Sequence, residues 1–137
     1  MKTIRPVLIF LVITLCALSI NAGEMQEVYT AAVDADGVQR IEIFGGGYFF
    51  KPSHIIVKKD IPVELIVRKD PGIVPHSFVI SSPEAGMDIK ESMSSEQKII
   101  RFVPVKAGKY PFYCDKKLLF FKGHRDRGME GTIEVTE

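Results

Sequence analysis

The chain has 137 residues, 46% of them hydrophobic and 26% charged, with 18 Lys and Arg against 17 Asp and Glu. That length and composition suit one compact globular domain. The near-even charge offers no basic stripe of the kind nucleic-acid binding requires, so no nucleic-acid partner is expected.

Residues 1–22 read as a secretory signal. Lys2 and Arg5 form a basic start, Val7–Ile20 is apolar except for Thr14 and Ser19, and Ala22 is a small residue placed for cleavage. The apolar run is 14 residues long, short for a membrane span of about 20. Cleavage is therefore expected over an uncleaved anchor. The protein is expected to be periplasmic or otherwise extracytoplasmic, with no stable membrane insertion once the signal is cut. Cys16 follows Leu15 rather than a small residue, so lipid attachment there is not expected. Without residues 1–22 the chain keeps 16 basic and 17 acidic residues and a single cysteine, Cys114. One cysteine makes no internal disulfide. A lone thiol in an oxidising compartment must be buried or ligated.

The rest reads as strands with turns between them. Residues 23–37 are a lead-in to a domain over 38–137, and within them 24–33 admit either an added strand or a loose segment. Strands are predicted at 38–43, 55–58, 62–68, 76–80, 97–103, 109–114 and 131–136 from period-2 alternation and apolar runs. Gly45-Gly46-Gly47 marks a bulge or bend. Asp70–Pro75, with two prolines and a glycine, is a loop. Residues 81–95 are polar and carry a short helical turn near Asp88–Met93. With no long helical pattern and no repeat, the expected fold is an all-β, Greek-key antiparallel β-sandwich.

Chemistry concentrates in Tyr113–Gly131, which holds Cys114, His124 and Met129. Thiolate, imidazole and thioether together are a soft-metal donor set. Strand parity adds His76. Side chains two apart point the same way, so His76 continues the row of Phe78 and Ile80, and Cys114 the row of Tyr110 and Phe112. Both end an apolar row beside a loop, at one end of a sandwich. Other readings of these residues are a buried structural cysteine, a packed core methionine and a zinc site. For zinc, however, methionine is a poor ligand and no fourth hard donor is evident. A Cys–His nucleophile lacks an orienting partner. His54, at a strand entry, reads as surface. Met87 and Met93 flank a polar loop and read as packing residues, with transient Cu(I) binding as the alternative.

Phe49–Val67, Pro75-His76, a strand ending in Tyr113-Cys114, and then His124 and Met129 together resemble the cupredoxins, the small blue-copper fold of plastocyanin and azurin. The resemblance spans nearly all of 38–137. It implies one copper ion, Cu(I) or Cu(II), held by His76, Cys114 and His124 with Met129 as a weak axial ligand. It further implies electron transfer with a redox partner protein, such as a cytochrome or a copper oxidoreductase, through the exposed edge of His124. No open coordination position is implied, so no enzyme activity is expected. The alternative is copper handling, meaning tolerance, sequestration or delivery to a copper donor or acceptor protein. Two departures stand out. Nine residues separate Cys114 from His124, more than in the small members, which implies a freer second histidine. Ser77 follows the first histidine where the family often has Asn, which implies only part of the usual tie between ligand loops. Within the insertion, Leu118-Leu119-Phe120-Phe121 is expected to fold over the sandwich end and shield the metal, the alternative being an exposed apolar patch that docks a redox partner. Lys116, Lys117, Lys122, Arg125 and Arg127 then rim the site, and read either as charges that steer an acidic partner or as a solvated loop.

Overall fold

The computed structural model describes residues 27–137; the signal reading of 1–22 lies outside them. Ten strands run in chain order: β1 Val28–Thr30, β2 Gln39–Gly46, β3 Phe49–Lys51, β4 His54–Lys58, β5 Val63–Lys69, β6 His76–Ser82, β7 Met87–Met93, β8 Lys98–Phe102, β9 Gly108–Tyr113 and β10 Glu130–Thr136. They form a six-stranded sheet in the order β1-β4-β10-β9-β6-β7 and a four-stranded sheet in the order β3-β2-β5-β8.

Burial follows the period of two. Ile41 and Ile43 of β2, Val63, Leu65 and Val67 of β5, and Ile133 and Val135 of β10 turn inward and are buried. Their sequence neighbours Glu42, Glu64, Ile66 and Glu134 face outward or lie at the half-buried margin. Packing these two inner faces forms the core. At its centre Phe50, Phe78 and Phe112 meet with ring centroids 5.1–5.7 Å apart, the offset and edge-on spacings that aromatic rings favour.

The all-β sandwich is as expected, but strand direction is mixed. β2 runs parallel to β5, and β4 runs parallel to both β10 and β1. Parallel neighbours arise because the chain crosses between the sheets, as in the passage from β2 and β3 to β4. Of residues 24–33, the described part takes the added-strand reading, since β1 pairs with β4 and Ala31 is buried; residues 24–26 lie outside the described residues. Of the two readings of the glycine run, the bend holds and the bulge does not: β2 continues through Gly45 and ends at Gly46, and the chain turns at Gly47-Tyr48 into β3. The helical turn expected at Asp88–Met93 is instead β7, preceded by a 3₁₀ turn at Pro83–Ala85. Met87, Ile89 and Met93 are buried while Asp88, Lys90 and Ser92 face water. The alternation was present, but its outward residues made the stretch look like a polar loop.

Candidate metal centre

β6 and β9 lie side by side in the larger sheet, with Val79 opposite Tyr113. β6 begins with His76 and β9 ends one residue before Cys114, so the two side chains emerge at the same end of the sandwich. Their next inward neighbours, Phe78 and Phe112, stack at 5.1 Å and make the dry floor beneath them. His124 comes from the loop after β9 and opens a 3₁₀ turn at Arg125–Arg127. The structure brings the three together as the parity reading expected. One donor atom from each of His76, Cys114 and His124 lies within 4.8 Å of the others, and all three residues are buried. Both imidazoles turn Nδ1 inward, 3.1 Å apart; Cys114 Sγ is 3.4 Å from Nδ1 of His124 and 4.0 Å from that of His76.

The loop is not free at its base. The His124 amide donates to the Lys116 carbonyl at 2.9 Å, the Met129 amide to the His124 carbonyl at 3.0 Å, and the Cys114 amide to the Met129 carbonyl at 3.1 Å. This corrects the expectation of a freer second histidine: the extra residues are pinched off before they reach it. The His124 ring also packs edge-on to Tyr48, with centroids 5.0 Å apart, and the Arg127 guanidinium covers the Tyr48 ring.

Met129 is fully buried. Its methyl group reaches the space over Gly45, where an added Cβ would stand 3.2 Å from it and 3.0 Å from the methyl of Met93. Met93 lies opposite His76 in the sheet, so this methionine packs at the metal end of the core. Met87 is an ordinary core residue. His54 is not a free surface residue: it is half-buried and pairs with Glu134 at 3.0 Å.

Ser77 does more than the comparison with Asn implied. Its amide donates to Cys114 Sγ at 3.3 Å. Its hydroxyl donates to the Asp115 carboxylate at 2.6 Å and accepts the Asp115 amide at 3.0 Å. The hydroxyl also lies 3.6 Å from Cys114 Sγ, but it has one proton and the carboxylate is the nearer, charged acceptor. The pair joins the two ligand-bearing segments, and Lys90 closes it from β7 at 2.7 Å from Asp115. Hydrogen bonds from Lys90 first and Ser77 second hold the Asp115 carboxyl below its ordinary range. Asp115, Lys90 and Tyr48 were not singled out from the sequence; Asp115 beside Cys114 was the available signal.

Both histidines titrate below the ordinary value of 6.5. Burial is the main cause for each. His124 repels a proton on His76, and Arg127 and Lys116 repel one on His124. Neutral rings keep a lone pair for a metal at physiological pH. The donor chemistry fits copper: imidazole accepts both oxidation states, and sulfur favours the reduced one.

The expected shield over the site does not form. Leu118, Leu119, Phe120 and Phe121 are 67%, 75%, 99% and 60% exposed. The residues between Lys116 and the pinned His124 turn back on themselves, with the Phe121 amide donating to the Leu118 carbonyl. Tyr48 packs against one side of the His124 ring instead. A groove of about 470 Å³ remains, lined by Tyr48, Ile73, Val74, Leu118, Phe121 and His124 among others.

A two-sheet sandwich with a buried Cys and two His at one end is the architecture of a copper-binding β-protein. A family model described as a cupredoxin-like domain matches residues 7–125, and the chain belongs to that family. Comparison with curated protein sequences finds no match. Among solved structures, the metal-binding domain of the Cu(I)-exporting P-type ATPase CopA of Streptococcus pneumoniae D39, with Cu(I), is similar at 27% identity. That likeness covers 82% of this chain and 99% of that one, with a TM-score of 0.62. A copper-binding protein solved in the apo form is 23% identical, covering 78% and 95% of the two chains with a TM-score of 0.57. Auracyanin A, a blue copper protein of Chloroflexus aurantiacus, is 17% identical, covering 73% and 100% with a TM-score of 0.54. Fold and donor cluster together point to one copper ion.

Proposed function

We propose that the protein is an extracytoplasmic, mononuclear type 1-like copper protein that carries electrons between redox partner proteins and is not an enzyme. In this reading His76, Cys114 and His124 would hold the copper, with Met129 as the weaker fourth ligand. Copper, when bound, supplies a one-electron couple between Cu(I) and Cu(II). The observation that carries the reading is the pinning of the donors: His76 is fixed in β6 opposite Met93. Cys114 is held by the Ser77 amide, and His124 by the Lys116 carbonyl and Tyr48. Donors fixed before the metal arrives need little rearrangement between oxidation states. His124 lines the open groove whereas His76 does not, so the electron's exit is the His124 edge.

Titration of the metal-free protein with Cu(II), followed by visible and EPR spectra, tests the site. An intense thiolate-to-copper band that Cys114→Ser abolishes is the expected result. A colourless protein that takes up no copper would sink the proposal. The second reading is Cu(I) handling, favoured by the 27% identity to the metal-binding domain of a Cu(I) exporter. A carrier of copper would surrender Cu(I) quickly to a chelator or acceptor protein. A carrier of electrons would keep the metal through repeated oxidation and reduction.

A further inference from the structure

The loop after Cys114 and the loop before His76 leave apolar side chains standing in water at the same end of the molecule. Phe120 and Ile73 are fully exposed, Leu118, Leu119 and Phe121 mostly so, and Ile73, Val74, Leu118 and Phe121 line one groove. Isolated exposed apolar residues are common, but a contiguous cluster of this size on one tip marks an interaction surface. Four cations, Lys116, Lys117, Lys122 and Arg127, line the same groove, and no acidic residue does. Among the described residues, none of the four is in an ion pair. Asp126 nearby is occupied by the Gly123 amide.

We infer that this tip docks reversibly on a bilayer containing anionic phospholipid. Phe120, Leu119 and Ile73 enter the acyl boundary, and the cation collar meets the headgroups. Two features favour a bilayer over other occupants. The collar carries only positive charge, so a second copy of the chain would set like charges face to face. Phe120 and Ile73 stand fully in water and Leu119 mostly so, beside the cations, and exposed apolar side chains backed by cations are what binds an anionic membrane surface. No described helix is long and apolar enough to cross a membrane, and the docking needs none. His124 opens on the same groove, so docking sets the metal edge at the bilayer surface. The inference stands on the loop's exposure and charge, independently of copper.

The chain contains no tryptophan, so Phe120→Trp places a single reporter on the tip of the full chain. Vesicles of equal parts phosphatidylcholine and phosphatidylglycerol should shift its emission to the blue and allow quenching by brominated acyl chains. Because the reporter reads the tip itself, contact made elsewhere by the N-terminal residues does not mimic the signal. Adding Leu119→Asp, or replacing the vesicles with pure phosphatidylcholine, should raise the lipid concentration needed by tenfold or more. Lys117→Ala or Lys122→Ala should raise it about fivefold each, and salt should weaken the docking. All these positions are exposed, and unchanged urea unfolding of each variant verifies that the fold survives. Emission that stays at the wavelength of a wetted indole with both vesicles overturns the inference. So does an equal response to neutral and anionic lipid. So does a blue shift that grows with protein concentration alone and accompanies dimers in sedimentation, which assigns the tip to a second copy.

Discussion

The two halves of the segment between Cys114 and Met129 obey opposite rules. From Gly123 to Met129 the chain is tied down: the Gly123 amide donates to Asp126, the His124 amide to Lys116, and the Met129 amide to His124. His124 and Met129 are buried. From Lys117 to Lys122 the chain projects outward, with its largest apolar groups in water. Hydrophobicity alone would assign them the other way round, putting Leu118–Phe121 inside and a histidine followed by Arg125 and Arg127 outside. Backbone hydrogen bonding decides instead. A buried amide must find an acceptor, and the His124, Met129 and Cys114 amides find theirs in the Lys116, His124 and Met129 carbonyls.

The largest break in that contrast comes from the tied half. His124→Ala should remove the intense Cu(II)–thiolate band along with a donor, read by the same titration. If the spectrum survives, the loop does not supply the second imidazole. Next comes the exit from the tied half into β10, where Gly131 faces Phe112. A Cβ on Gly131 would lie 2.3 Å from the Phe112 ring and 2.4 Å from the Ser53 carbonyl. Gly131→Ala should therefore destabilise the fold by about 3 kcal/mol, read from urea midpoints. A smaller effect is expected from acid on the metal-free protein. The His76 and His124 values are depressed below 6.5, so the unfolded chain takes up protons first. Stability should fall as pH drops through that value, level off once the folded rings are protonated too, and gain nothing from these groups above it. A flat urea midpoint across that window would show that the rings are not buried neutral. The smallest effect belongs to the projecting half: Leu119→Ser with Phe120→Ser should stay within about 0.5 kcal/mol of the parent and leave the copper spectrum unchanged.

Much of this site was legible in the sequence, for specific reasons. His76 and Cys114 each end an inward-facing row, and period-2 geometry carries them to one end without any tertiary information. His124 and Met129 needed the family pattern, because loop residues have no period. β7 was missed because Pro83, Gly86 and its water-facing Asp88, Lys90 and Ser92 hid the alternation of Met87, Ile89 and Met93. The Ser77–Asp115–Lys90 chain was missed because it joins three segments distant in sequence, and only the pairing of β6 with β7 and β9 makes them neighbours. The exposed loop defied expectation because the bond from the His124 amide to the Lys116 carbonyl closes it off at its base, a loop contact that no sequence period announces.

The hydrogen bond from the His124 amide to the Lys116 carbonyl has a bearing on how such a protein can be altered. It makes residues 117–122 a cassette whose two ends are already joined. Doubling the length of a flexible loop adds only about 0.6 kcal/mol of closure entropy, and here that charge falls outside the donor set. The position is therefore a graft port: a recognition peptide or a second metal-binding segment spliced between Lys117 and Lys122 should leave the colour of the centre unchanged while redirecting what the protein meets.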